Sequence, residues 1–245
     1  MIQEINKYTE KDTWIWNQLF ERQTKNLNVK ASIAYLSSLE KMSEFLNGSE
    51  IPNFNKINKW FLNKTGWQIE VVKGLIPVED FFELLSQKKF CSSTWLRNPQ
   101  QFDYLEEPDM FHDIFGHIPL LSHSVFSEFA LEFGKLGKNY LNNTDSIAAL
   151  QRLYWFTIEF GLIKEVEEIK VYGAGIISSF SETNKAILAK TNHLDFNIEL
   201  ILNNSFQTNA MQNEYYVIKS YDQLFNSIDE ADKLLNGKLD LLHYY

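Results

Sequence analysis

Over most of the chain apolar residues recur at the three- and four-residue spacing of helices, and only a few short runs alternate as strands do. Thr9 with Asp12 makes a capping box ahead of a helix that should run to about Asn26, with Ile15, Leu19 and Arg22 on one stripe. A second helix is expected from Val29 to Leu46, with Ile33, Leu36 and Leu39 at helical spacing and Asn47-Gly48 as its stop. NKINKWFLNKTG reads as a short helix ended by Gly66, and WQIEVVKGLI as a strand. Pro77, Glu79 and Asp80 then open a helix holding Phe81, Phe82, Leu84 and Leu85. FCSSTWLR is strand-like and ends in Arg97, just before the turn signal Asn98-Pro99. LLSHSVFSEFALEFGKLGKNYL predicts another helix, with Phe126, Phe129, Ala130 and Phe133 facing the core and His123 at the surface. KEVEEIK reads as a charged turn, and VYGAGIISS as a strand whose Gly173 and Gly175 allow close backbone approach to a ligand. From Ser181 the pattern is weak until EYYVIKSYDQLF, a strand followed by a helix. The fold class is therefore mainly α with a few short β-strands.

Composition sharpens this to one compact body spanning 1–245. Apolar residues make up 44% and aromatics 15%, and five prolines and ten glycines leave no stretch that resembles a linker. No apolar run approaches the ~18 residues a membrane helix needs, and MIQEINKYTEKD lacks the apolar core of a signal peptide, so a soluble cytoplasmic protein is expected. A net charge of −9 disfavours nucleic acid and anionic membranes as partners. The single cysteine, Cys91, excludes an intrachain disulfide and reads as a small core residue.

The candidate chemistry gathers in residues 106–121, EEPDMFHDIFGHIPLL, where His112 and His117 lie five apart. On a regular helix five residues turn the second ring about 140° from the first, so both cannot face one point. Pro108 and the acidic Glu106, Glu107 and Asp109 mark a helix start, and Gly116 and Pro119 mark its end. The expectation is a short helix over roughly Asp109 to Phe115 that carries His112 inward, with His117 on the exit turn, free to converge on the same point. Two unrelated histidines remain the alternative. A carboxylate could complete a site: in IAALQRLYWFTIEFGLI (147–163), Glu159 has Trp155, Phe156, Leu162 and Ile163 as its helical neighbours. A buried carboxylate must pair, protonate or bind a metal, and Arg152 or Lys164 could pair with it. Two histidines and one carboxylate fit the facial arrangement of non-haem iron(II) oxygenases. They also fit zinc, although HDIFGH lacks the HExxH spacing of a zinc hydrolase.

EEPDMFHDIFGHIPLL, followed by YWFTIEFGLI and YGAGIISS, resembles the pterin-dependent aromatic amino acid hydroxylases, most of all their bacterial phenylalanine-hydroxylating members. The resemblance runs from KYTEKDTWIWNQLFERQ to YYVIKSYDQLF. It implies a single catalytic domain that uses Fe(II), a tetrahydropterin and O2 to convert L-phenylalanine to L-tyrosine. His112, His117 and Glu159 would hold the metal. Gly74, Leu75, Phe81, Asp113 and Tyr154 would contact the pterin, Phe81 by stacking. Arg97 would grip the substrate carboxylate, and Tyr104, Trp155 and Phe160 would line the substrate pocket. Ser178 would support an iron-bound histidine at the edge of that pocket, with Glu182 in the same outer layer. Leu105 and Glu106 depart from the threonine and proline of animal members, and Asp113 is shorter than their glutamate. A regulatory domain and a tetramerising tail would not fit in 245 residues, so a monomer without amino acid allostery is expected. The same chemistry on tryptophan or tyrosine, and a non-catalytic helical scaffold, remain as other readings.

Overall fold

In the computed structural model, which describes residues 1–103, 105 and 107–242, helices wrap a core built around the histidine segment. The N-terminal helix α1 (Glu10–Leu27) begins at the expected capping box, with the Thr9 side chain accepting from the Asp12 N–H and Asp12 accepting from the Thr9 N–H. It buries Trp16 and Phe20, which pack edge-on against Phe111 and Phe115. Helix α2 (Ile33–Lys41) is shorter than the sequence suggests, because the Ser32 hydroxyl caps it by accepting from the Tyr35 N–H. Residues 29–32 instead turn and bridge to Val171, which leaves Val29 and Ile33 exposed. Helix α3 (Phe54–Leu62) is followed by turns that end at Gly66, whose φ of +78° favours glycine.

Strand β1 (Gln68–Val71), helix α4 (Val78–Ser86) and strand β2 (Lys89–Ser92) form a small βαβ unit with parallel strands. Beyond the histidines, α5 (Ser124–Asn139) packs on α4, and α6 (Thr144–Tyr154) leads to Glu159. His123 is no free surface residue: its ring caps α5 and packs on Tyr221.

The expected helix over 147–163 does not run through. It gives way after Glu159 to β3 (Leu162–Glu165), which forms a hairpin with β4 (Glu168–Val171) around Val166, a residue with positive φ. The charged KEVEEIK is thus mostly hairpin strand. VYGAGIISS is not a strand beyond Val171, because Ala174–Ile177 forms one helical turn, α7. The weakly patterned stretch supplies α8 (Phe180–Ala186), β5 (Asn192–Asp195) and α9 (Ile198–Asn203), before β6 (Glu214–Ile218) and α10 (Tyr221–Leu242). The larger sheet has the order β4-β3-β6-β5, with β6 parallel to both of its neighbours.

Candidate active site

Two wide helical turns place the three candidate ligands named from the sequence, and both are π-helical: His112–His117 and Trp155–Glu159. In a π turn, hydrogen bonds join residues five apart, so His112 and His117 come onto the same side of one turn. This corrects the expectation of a helix that stops at Gly116. Gly116 is not in the left-handed region, and the chain passes through it into a short turn at Pro119–Ser122. Proline explains part of the widening. Pro119 has no N–H to offer the carbonyl of Phe115, four residues back, and the buried Tyr35 hydroxyl donates to that carbonyl instead, at 2.7 Å. In the second turn the Phe160 N–H donates to the Trp155 carbonyl at 2.8 Å, again five residues back. Gly173 then sits against the Glu159 backbone: a Cβ there would lie 2.4 Å from the Glu159 carbonyl oxygen. The close approach anticipated at Gly173 is thus to the backbone of Glu159.

The donor atoms converge. His112 Nε2 and His117 Nε2 are 3.1 Å apart, and the Glu159 oxygens lie 3.1 Å from His117 Nε2 and 3.6 Å from His112 Nε2. Ligands at right angles on a metal with bonds of about 2.1 Å would sit about 3 Å apart, so the residues fit one metal ion. Arg152 donates to the Leu202 carbonyl and Lys164 pairs with Glu167, so neither is the partner of Glu159. The tautomer of His112 follows from its neighbour. Ser178 Oγ donates its one hydrogen to the Ala174 carbonyl at 2.8 Å, so at 2.9 Å it must accept from His112 Nδ1–H, which leaves an electron pair on Nε2. Burial holds the His112 pKa down to about 4, which keeps the ring neutral at physiological pH. Burial pushes Glu159 upward, but its electrostatic interaction with the adjoining His117 and His112 rings and hydrogen bonds from His117 and Tyr154 outweigh it and hold the carboxyl down to about 2. Two imidazoles and a carboxylate make a donor set for a divalent transition metal.

The donors help line a cleft of about 440 Å³. Gly74, Leu75, Phe81, Asp113, Tyr154 and Trp155, all named from the sequence, line it with His112, His117 and Glu159. Phe81 meets Tyr154 edge-on at 5.1 Å, and Tyr154 lies along His117 with ring centres 6.4 Å apart. Asp113 accepts from the Ser93 N–H at 2.8 Å, yet its burial pushes its pKa up to about 7. Cys91 also lines the cleft, and burial raises its thiol to about 12, so it is no ready nucleophile.

Three of the named residues stand behind the lining. Phe160 packs on Trp155 with ring centres 4.6 Å apart, and Ser178 is bound to His112 as described. Arg97 is buried and held by Asp109: Nε donates to Oδ2 at 2.9 Å and Nη2 to Oδ1 at 2.7 Å. That leaves Nη1 unused by this fork. Tyr104 lies outside the described residues. Glu182 is not in the shell around the histidines; it accepts from the Gln212 N–H and the Tyr215 hydroxyl. Sequence reasoning missed Asp109, read only as dipole charge, whose Oδ1 also accepts from the His112 N–H at 3.0 Å. It also missed Phe206 and Gln212, which lie in the weakly patterned stretch and carry no periodic signal.

A family model described as biopterin-dependent aromatic amino acid hydroxylase matches residues 1–243. Phenylalanine-4-hydroxylase of Chromobacterium violaceum is 39% identical over 226 residues, covering 92% of this chain and 75% of that protein. The enzyme of the same name from Ralstonia nicotianae is 40% identical over 228 residues, covering 93% and 72%. A crystal structure of the C. violaceum enzyme with bound iron(III) and oxidised 7,8-dihydrobiopterin superposes with a TM-score of 0.90 at 38% identity, over 97% of this chain and 86% of that one. The cobalt-bound form of the same enzyme superposes at 0.89, over 93% and 82%.

Proposed function

The chain belongs to the biopterin-dependent aromatic amino acid hydroxylase family, and from that premise we propose that it converts L-phenylalanine to L-tyrosine with O2 and a tetrahydropterin. The observation that carries the reading is the convergence of His112, His117 and Glu159 in the wall of an aromatic-lined cleft. These three residues would hold iron(II). When bound, iron(II) and a tetrahydropterin would together supply the redox chemistry that activates O2 for insertion of one oxygen atom into the substrate ring.

The side chains supply placement. Phe81 offers an aromatic face for the pterin, and the backbone at Gly74 and Leu75 offers polar groups for its edge. Asp113, on the same wall, can donate or accept at neutral pH because its burial raises its pKa to about 7. Arg97, aligned by Asp109, grips the substrate carboxylate and orients the ring toward the metal. Trp155, backed by Phe160 and Phe206, forms the wall beside the ring. Ser178 fixes the His112 ring. The apolar lining excludes bulk water from the reacting atoms. Among the described residues no helix is long and apolar enough to cross a membrane. The proposal extends to a single catalytic domain working as a cytoplasmic monomer, which light scattering of the purified protein would test.

The test of the activity is an aerobic assay with iron(II) and tetrahydrobiopterin, offering phenylalanine, tyrosine and tryptophan separately and identifying products by mass. Tyrosine formed from phenylalanine supports the reading. No product from phenylalanine by iron-loaded protein overturns it.

A further inference from the structure

Trp155 is held from three sides. Phe206 stacks on it with ring centres 4.5 Å apart and planes 19° from parallel, and Phe160 packs against it at 4.6 Å. The third hold is polar: Trp155 Nε1–H donates to Gln212 Oε1 at 3.0 Å. Gln212 is itself buried and fixed. Its amide nitrogen donates to the carbonyls of Gln207 and Ala210, at 2.9 and 3.1 Å. Turning the amide over would set oxygen against two oxygens, so Oε1 must face the indole. The Gln212 backbone N–H donates to Glu182 Oε1 at 3.0 Å, and Glu182 also accepts from the Tyr215 hydroxyl on β6. The weakly patterned loop is thereby tied to the sheet, and through one hydrogen bond to the cleft wall.

An indole stripped of this acceptor would lose the interaction that sets its rotation. Two flat packing partners permit sliding in their plane, whereas a hydrogen bond at the ring edge does not. We propose that Gln212 is a positioning residue for substrate selection: by fixing the Trp155 indole it sets the width of the cleft, and so favours phenylalanine over the bulkier tryptophan. This rests on the hydroxylase reading above.

The test compares iron-loaded wild type, Gln212→Leu, Trp155→Phe and the double variant on phenylalanine and on tryptophan, with the KM for tetrahydrobiopterin and the tyrosine formed per pterin oxidised as further readouts. Gln212→Leu should lower the phenylalanine-to-tryptophan ratio of kcat/KM about tenfold, the scale set by small changes in an apolar pocket, and lower coupling while the pterin KM holds. In the Trp155→Phe background, which has no N–H to hold, the same change should leave the ratio unmoved. Equal losses on both substrates, or the same ratio change in both backgrounds, would overturn the inference and leave Gln212 a loop staple. Gln212→Asn, which draws the amide back by one methylene, gives the same readout where Gln212→Leu does not fold. Wild type that hydroxylates neither substrate would remove the hydroxylase reading and this inference together; active wild type with an unchanged ratio in Gln212→Leu removes the inference alone.

Discussion

Removing the Asp109 carboxylate should damage the protein more than any comparable change at the surface. Asp109 is 0% exposed and Arg97 4%, so neither charge can turn to water when its partner is lost. The carboxylate accepts four hydrogen bonds: from the Arg97 N–H, Nε and Nη2, and from the His112 N–H. Asp109→Ala leaves a buried guanidinium unpaired, which costs about 3–5 kcal/mol. For a chain of this size that corresponds to a fall in Tm of roughly 6–20 °C. Arg97→Met combined with Asp109→Leu replaces both charges by apolar groups of similar bulk, and such exchanges are often neutral or stabilising. The double variant should therefore melt close to wild type while its KM for phenylalanine rises steeply. Thermal unfolding of wild type, Asp109→Ala and the double variant by circular dichroism, with phenylalanine kinetics alongside, reads both effects. A fall of less than about 3 °C for Asp109→Ala, under about 1 kcal/mol, would refute the argument that this pair is a desolvated unit.

Alanine at His112, His117 or Glu159 should each abolish iron retention, measured by metal analysis after gel filtration; iron kept at full stoichiometry would remove that residue from the site. Ser178→Ala frees the His112 ring and should weaken metal affinity about 10–100-fold in a competition titration, with little change in Tm. Tyr35→Phe leaves the buried Phe115 carbonyl without its donor, and should cost about 1–3 kcal/mol by denaturant titration and loosen metal binding. Gly173→Ala sets a methyl within 2.4 Å of the Glu159 carbonyl oxygen, so metal affinity should fall even where the protein still folds, an outcome that combining far-UV circular dichroism with metal titration would detect.

Much of the helical framework was legible because it rests on local rules. The Thr9–Asp12 box, the Gly66 stop and the Phe126–Phe133 stripe each stand where the pattern placed them. The misplaced elements have a common cause in long-range pairing. Residues 29–32 leave helix to pair with Val171, and Leu162 and Ile163 become strand through partners on β4 and β6. Glu159 was named from the apolar neighbours of an unbroken helix, but two of those, Leu162 and Ile163, lie in β3; its burial comes instead from the π turn and from α7 packing on it. Arg97 was named, yet its partner Asp109 was not, since a separation of twelve residues encodes no periodic signal that the two side chains meet. Gln212 lay in a stretch with no pattern at all, and its connection to Trp155 exists only once β6 has set the loop beside α6.

The two histidines converge, but not by the expected stop of the helix before His117, since the chain continues through both as a π turn, and the difference is informative. An α-helix would point the two rings apart, so a five-residue spacing can serve one metal only where the hydrogen-bond ladder slips by one residue. Such a turn is costly to hold, and the surroundings hold it at named points. Pro119 withholds the N–H that would restore α geometry, Tyr35 takes the carbonyl this leaves over, and Asp109 pins the His112 N–H from the other end. The turn that carries Glu159 is held in the same manner, with Gly173 and Gly161 allowing backbone to pack where a side chain would collide. Both turns meet α7, whose Ser178 reaches the ring of His112 and whose first residues lie against Glu159. One short helix thus fixes two separately encoded ligand segments relative to each other. The geometry of the donor set is therefore a tertiary property, although every donor can be read from the sequence.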